Sequence, residues 1–216
     1  MMTEKSEAVL AYLKKSYPDA KCALHFRNAF ECLVAISLSA QTTDKSVNAV
    51  TPKLFEDFPT PFAMSQAPIE RIEDDIKSLG LYHNKAAHLR QLSVDLQRKY
   101  QGEVPLDFEE LTHLSGVGTK TAGVFLLEVA SRPAIPVDTH VHRIGDRLAY
   151  SKEKDDPLAV EKKLEKAFPK ESWIFLHHAF ITFGREKCHA QNPDCANCAL
   201  QGYCSYFKKC FSIKGK

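Results

Sequence analysis

Leu114-Ser115-Gly116-Val117-Gly118-Thr119-Lys120-Thr121-Ala122 is the stretch on which the fold turns. Two glycines with one residue between them make a turn whose backbone can approach a ligand closely, since no Cβ stands in the way. Their N–H groups, together with the positive end of a following helix, suit a phosphate oxygen. Just upstream, Asp107 and Glu110 have capping-box spacing ahead of a short helix that ends near His113. Downstream lies the apolar segment Val124–Ala130, so a lysine, Lys120, opens the second helix.

Working outward, prolines and glycines cut the chain into pieces of helical length. Residues 4–17 place Val9, Leu10, Leu13 and Tyr17 on one face at 3.6-residue spacing. Residues 82–101 do the same with Leu89, Leu92, Leu96 and Tyr100, and Gly102 follows where a helix C-terminal glycine belongs. Pro157 after Asp156 suits a first-turn proline, opening a helix through about Phe168. Residues 171–184 read as a buried helix. Pro133-Ala134-Ile135-Pro136-Val137 is too proline-rich for a central strand. The expectation is an all-α chain of about ten helices, without internal repeats. In that setting the glycine turn fits a helix-hairpin-helix that grips the DNA backbone. It does not fit a dinucleotide-binding turn, because no strand leads into it.

Composition bounds the rest. The chain has 216 residues, 44% hydrophobic and 26% charged, as an ordinary globular protein does. The longest apolar stretch, near Cys32–Leu38, is far short of the ~20 residues of a membrane helix. Met1-Met2-Thr3-Glu4-Lys5 lacks the start of a signal peptide, so a cytoplasmic location is expected. The net charge of +2 hides an uneven spread. Glu56, Asp57, Glu70, Glu73, Asp74 and Asp75 face Arg71 alone between residues 56 and 75, whereas residues 184–216 carry six Lys or Arg against Glu186 and Asp194. The basic end is available for phosphate contacts.

Seven cysteines, an odd number in a reducing compartment, point to metal or redox chemistry rather than disulfides. Cys188, Cys195, Cys198 and Cys204 are spaced C-x6-C-x2-C-x5-C. Four thiolates so close in sequence can surround one metal centre, as zinc or as an iron–sulfur cluster. Cys22, Cys32 and Cys210 default to ordinary thiols. Lys120 is a different kind of candidate. The positive end of a helix dipole works against an ammonium there, which favours the free amine that Schiff-base chemistry needs. Asp138, in Val137-Asp138-Thr139-His140-Val141-His142-Arg143, reads as the N-cap of the next helix. A capping carboxylate with one oxygen to spare could steady positive charge developing on a sugar, or take a proton from an attacking amine.

Hairpin, Lys120, Asp138 and the four cysteines, in this order and spacing, resemble the endonuclease III family of base-excision DNA glycosylases. Leu38-Ser39-Ala40-Gln41-Thr42-Thr43-Asp44, Gly80-Leu81-Tyr82-His83-Asn84-Lys85-Ala86 and Gly102-Glu103-Val104-Pro105 are also similar to family segments, so the likeness spans nearly the whole chain. The resemblance implies a bifunctional glycosylase and abasic-site lyase acting on oxidised or ring-saturated pyrimidines in double-stranded DNA, as a monomer. It implies Lys120 as the amine nucleophile, Asp138 as its carboxylate partner, and strand cutting by β-elimination on the 3′ side. It implies DNA contacts at Gln41, Leu81, Gly116, Gly118 and His140, with Gln41 and Leu81 filling or wedging the gap left by a flipped base. The four cysteines would hold a 4Fe–4S cluster that shapes a basic DNA-binding loop around Arg185–Lys187 and His189. Two lobes are expected: a helical-barrel lobe, 22–132, with the hairpin, and an iron–sulfur lobe, 1–21 with 133–216, with Asp138. Lys120 and Asp138 would face each other across the cleft between them.

Three positions depart from the family pattern, which has proline where Ser115 stands, arginine where Thr119 stands and asparagine where Gly123 stands. Losing the arginine removes a candidate phosphate contact. Gly123 makes Thr121-Ala122-Gly123 look like the related adenine-specific glycosylases. Those lack the lysine at position 120 and carry a catalytic glutamate that would align near Ser37, and their extra C-terminal domain has no room in 216 residues. The alternatives left are a monofunctional adenine or thymine mismatch glycosylase and a catalytically silent DNA-binding iron–sulfur protein.

Overall fold

The computed structural model describes residues 2–212. In chain order its helices are α1 (Glu4–Ser16), α2 (Ala29–Leu38), α3 (Asp44–Asp57), α4 (Pro61–Gln66), α5 (Ile69–Ile76), α6 (Tyr82–Tyr100), α7 (Phe108–Thr112), α8 (Thr119–Ala130), α9 (Thr139–Arg147), α10 (Pro157–Ala167), α11 (Trp173–Glu186) and α12 (Ser205–Ser212). Two 3-10 segments, Lys170–Ser172 and Gln201–Tyr203, join them, and no strand occurs among the described residues. The count exceeds the ten or so expected because pieces such as the six-residue α4 are too brief for a helical repeat to show in sequence. The helix expected over 171–184 runs two residues later, after a 3-10 turn. No helix among the described residues is long and apolar enough to cross a membrane.

Local chemistry sets most helix ends. Thr3, Asn28, Thr43, Thr60, Asp107, Asp138 and Asp156 each accept a first-turn N–H with a side-chain oxygen. Pro157 occupies the first turn of α10, where no N–H is missed. At the other end of α6, Gln101 and then Gly102 take positive φ, and the Gly102 N–H closes back onto the Leu96 carbonyl at 3.0 Å.

The chain divides into two compact units, Cys22–Arg132 and Met1–Lys21 with Pro133–Lys216. In the first, α2 is buried from Phe30 to Ile36 and again at Leu38, because helices cover it on several sides. It packs on α3, α6 and α8, while α6 in turn packs on α4 and α5. Leu33, Leu54, Met64, Ile72, Leu89, Leu92, Leu96 and Phe125 make the centre of this core. Each such side chain contributes about 1.5–3 kcal/mol through burial. The second unit has its own core of Val9, Leu13, Ile144, Val160, Leu164, Leu176 and Phe180, where α11 packs on α1 and α9.

Candidate active site and cysteine pocket

The glycine turn joins α7 to α8 as a short hairpin anchored by two buried side chains, Leu114 and Val117. The Val117 N–H closes it onto the Leu114 carbonyl at 3.1 Å. Gly116 is required twice over: its φ is +75°, and a Cβ there would stand 3.0 Å from the Cβ of His88 on α6. His88 Nδ1 also lies 3.2 Å from the Ser115 hydroxyl. Gly118, by contrast, faces open space, with nothing within 4 Å of a hypothetical Cβ. It is the N-cap of α8, so no side chain there accepts the first N–H groups of the helix. Lys120, exposed, is the second residue of that helix.

Asp138 caps α9 as its sequence suggests. Both the His140 and the Val141 N–H donate to Oδ1 at 2.8 Å, and neither bond uses Oδ2. One turn on, the Arg143 guanidinium donates to His140 Nδ1 at 3.1 Å and to the Gly184 carbonyl at 3.0 Å. Arginine can only donate, so His140 is held with Nδ1 as acceptor. The approach leaves no room for a side chain on α11: a Cβ at Gly184 would sit 2.8 Å from His140 Nδ1.

A cavity of about 280 Å³ opens in the Cys22–Arg132 unit, lined by Ser37, Leu38, Ala40, Gln41, Leu81, Asn84, Lys85, His88, Leu89 and Gly116. Two of these have left-handed backbones without being glycine, Gln41 at φ 54° and Leu81 at φ 59°. Such conformations persist only where surrounding structure holds them, and they gather at functional sites. Leu81 is also 59% exposed, unusual for a leucine so constrained. Ser37 donates its hydroxyl to the Leu33 carbonyl at 2.8 Å, and no Asp or Glu is among the described lining residues. Lys85 is buried, its ammonium disfavoured by that burial, and its Nζ donates to the Thr42 hydroxyl.

Cys188, Cys195, Cys198 and Cys204 all line one pocket in the other unit, with Ile144, Leu148, Phe183 and Leu200 as its apolar wall. Among the described residues no three His, Cys, Asp or Glu side chains converge to hold a single metal ion. The four cysteines surround a space instead. Burial first, and then the neighbouring cysteines, push the Cys195 and Cys198 thiols up. Two donors already point at sulfur: Arg147 reaches Cys188 Sγ at 3.2 Å and the Phe207 N–H reaches Cys204 Sγ at 3.4 Å. Arg147, buried at the end of α9, also donates to the His189 and Ala190 carbonyls at 2.7 and 3.0 Å. Lys187 donates to the Asn197 carbonyl at 2.9 Å, so its charge is turned into the cysteine loop.

Of the residues singled out in sequence, Gln41, Leu81 and Gly116 therefore share one cavity. Gly118 and Lys120 belong to the same unit but do not line it. Asp138, His140 and the four cysteines belong to the other unit. Lys85, His88 and Arg147 escape a reading of the sequence. Only Lys85 carries a signal, since it follows Leu81 by one helical turn in a segment already set apart.

Residues 34–170 match the HhH-GPD superfamily of base excision DNA repair proteins. The chain is similar to endonuclease III of Bacillus subtilis, 47% identical over 188 residues that cover 87% of this chain and 86% of that one. It is similar to endonuclease III of Escherichia coli K12, 38% identical over 209 residues that cover 97% and 99%. Among solved structures it is similar to a trapped endonuclease III–DNA covalent intermediate, an estranged-adenine complex. The identity there is 47% and the TM-score 0.91, covering 96% of this chain and 99% of that one.

Proposed function

The chain belongs to the endonuclease III family of the HhH-GPD superfamily, and on that premise we propose which residues carry its reaction and on which DNA. It is a base excision repair DNA glycosylase with abasic-site lyase activity. Its substrates, in this reading, are oxidised or ring-saturated pyrimidines in duplex DNA, and it acts as a cytoplasmic monomer. The sugar C1′ of a stacked nucleotide is out of reach, so the damaged nucleotide is first flipped out. Gln41 and Leu81 occupy the gap, an assignment supported by their exposure and left-handed backbones at the rim of one cavity. The Lys120 amine then attacks C1′ and the C1′–N glycosidic bond breaks with its electrons leaving on the base. The C1′–O4′ bond next opens, its electrons and a proton going to O4′, so that an iminium links enzyme and ring-opened sugar. Loss of a C2′ proton expels the 3′ phosphate and cuts the strand. Asp138 Oδ2, which the helix cap does not use, takes the proton of the attacking amine or steadies the cationic sugar.

The observation that carries this reading is the uncapped, exposed start of α8 with Lys120 in its first turn. A monofunctional mechanism finds no support at Ser37, whose hydroxyl is committed to the backbone of α2. Thymine glycol duplex treated with the enzyme and a borohydride reductant should yield a covalent protein–DNA band on a denaturing gel. Lys120→Ala should yield none. Active protein that gives no adduct, or a Lys120→Ala adduct, sinks the assignment.

The cysteine pocket fits a 4Fe–4S cluster held by Cys188, Cys195, Cys198 and Cys204. Four thiols surround one space, and two donors meet their sulfurs. When bound, the cluster supplies structural crosslinking rather than a step at the sugar. Arg147 and Lys187 brace the loop from its own side. Purified protein should contain about four irons per chain with visible absorbance; zinc in their place would refute the cluster.

A further inference from the structure

Gln41 and Leu81 come from different segments, one between α2 and α3, the other at the start of α6. For both to enter a duplex at one step, something must hold the two segments in register. The Gln41 segment turns back on itself locally: the Thr42 N–H donates to the Ser39 carbonyl at 3.1 Å, and the Thr42 hydroxyl to the Ala40 carbonyl at 3.3 Å. That hydroxyl, beside Gln41, accepts from Lys85 Nζ. Lys85 lies one turn after Leu81, and its own N–H donates to the Leu81 carbonyl at 3.0 Å. One residue thus touches the backbone of one wedge segment and the side chain beside the other wedge residue.

We propose that Lys85 is a positioning residue that couples the Gln41 loop to the Leu81 turn, so that the two wedge side chains enter DNA as a unit. This rests on the reading of Gln41 and Leu81 as the gap-filling pair. An exposed lysine would be free to wander, but Lys85 is 8% exposed, and among the described residues no carboxylate pairs with it. Burial disfavours its ammonium, a cost that a merely solubilising lysine does not bear. A hydroxyl partner gives direction without neutralising the charge, which suits a strut better than an ion pair. Thr42 completes the relay, being both acceptor from Lys85 and donor to its own loop.

The test compares single-turnover cleavage of a thymine glycol strand in duplex with the same strand alone, where no stack needs filling. Lys85→Met should lower the duplex-to-single-strand rate ratio about tenfold, as expected for losing one charge-assisted hydrogen bond. Thr42→Val, which keeps the shape and leaves the buried amine in place, should move the ratio the same way, and the double variant should fall no further than Lys85→Met. Lys85→Arg should recover much of it. Duplex and single-strand rates that fall together would overturn the proposal, as would an unchanged ratio in both single variants while Gln41→Ala and Leu81→Ala lower it. If those two alanine variants leave the ratio alone, the wedge reading itself fails.

Discussion

The helices that carry Lys120 and Asp138 start on matching frames and end up in opposite states. Gly118-Thr119-Lys120 opens α8 and Asp138-Thr139-His140 opens α9, each a cap residue followed by a threonine; the residue of interest is the second helical residue in α8 and the cap itself in α9. The cap backbones are alike, φ −88° and ψ 174° at Gly118 against φ −100° and ψ −174° at Asp138. Only the side chain differs. In α9 a carboxylate of the protein itself takes the helix's first N–H groups. In α8 no side chain does so, and those donors remain for an outside anion, for which a DNA phosphate is the natural candidate. A single glycine separates a helix end left open to an outside anion from one that is already satisfied.

The largest expected effect probes what the open end carries. Lys120→Ala should reduce strand cleavage by roughly 10³-fold or more, since it removes the proposed nucleophile. Stability should stay within about 0.5 kcal/mol because the side chain is exposed. Lys85→Met, removing the buried lysine, should still form the borohydride adduct. Should Lys120→Ala retain cleavage and Lys85→Met lose it, the buried amine rather than the exposed one is the nucleophile.

Next in size is the closed end, where Asp138 caps the helix and is proposed to act at the sugar as well, two purposes that substitution can separate. Asp138→Asn keeps a capping oxygen and removes the charge; Asp138→Ala removes both. Both should slow cleavage by roughly 10²-fold, whereas only the alanine should cost about 1 kcal/mol in urea unfolding. Full activity in Asp138→Asn would reduce Asp138 to a cap.

The two helix starts also mark how far a local pattern reaches. Capping is decided within three residues, so Asp107, Asp138 and Asp156 are legible as caps in the sequence alone. The cysteine set is legible for the same reason, since its four members lie within one short loop. Lys85 and Arg147 are not, because Thr42 is 43 residues from the one and Cys188 is 41 from the other. No local pattern announces a partner at that distance, and a lysine on α6 or an arginine on α9 looks like an ordinary surface charge until the packing buries it. The left-handed backbone at Leu81 is equally silent, since leucine is not a residue that advertises positive φ.

A smaller effect follows from converting one helix start into the other. At Gly118 both the backbone and the open space around it accept a side chain, so Gly118→Asp should fold without strain. Its carboxylate should cap α8 as Asp138 caps α9, raising stability by a few tenths of a kcal/mol. Affinity for duplex DNA, read by fluorescence anisotropy, should fall about tenfold, because the new charge occupies the anion site and repels phosphate. A variant that is stabilised yet binds DNA normally would mean that α8 does not meet the backbone there.

The smallest effect concerns Thr119, which stands where the family pattern has arginine. Thr119→Arg adds a cation beside donors that already favour phosphate. Binding should tighten by a few fold at low salt, with the slope of log affinity against log salt steeper by about one. The same cation opposes the helix dipole and should cost about 0.3–1 kcal/mol. Thr139→Arg makes the identical change in α9, where the neighbouring Asp138 carboxylate already holds the first N–H groups. That variant should leave affinity and salt slope nearly as they were. If both arginines tighten binding equally, the gain comes from net charge alone. If only Thr119→Arg does, the open cap at Gly118 is what turns a local charge into a DNA contact.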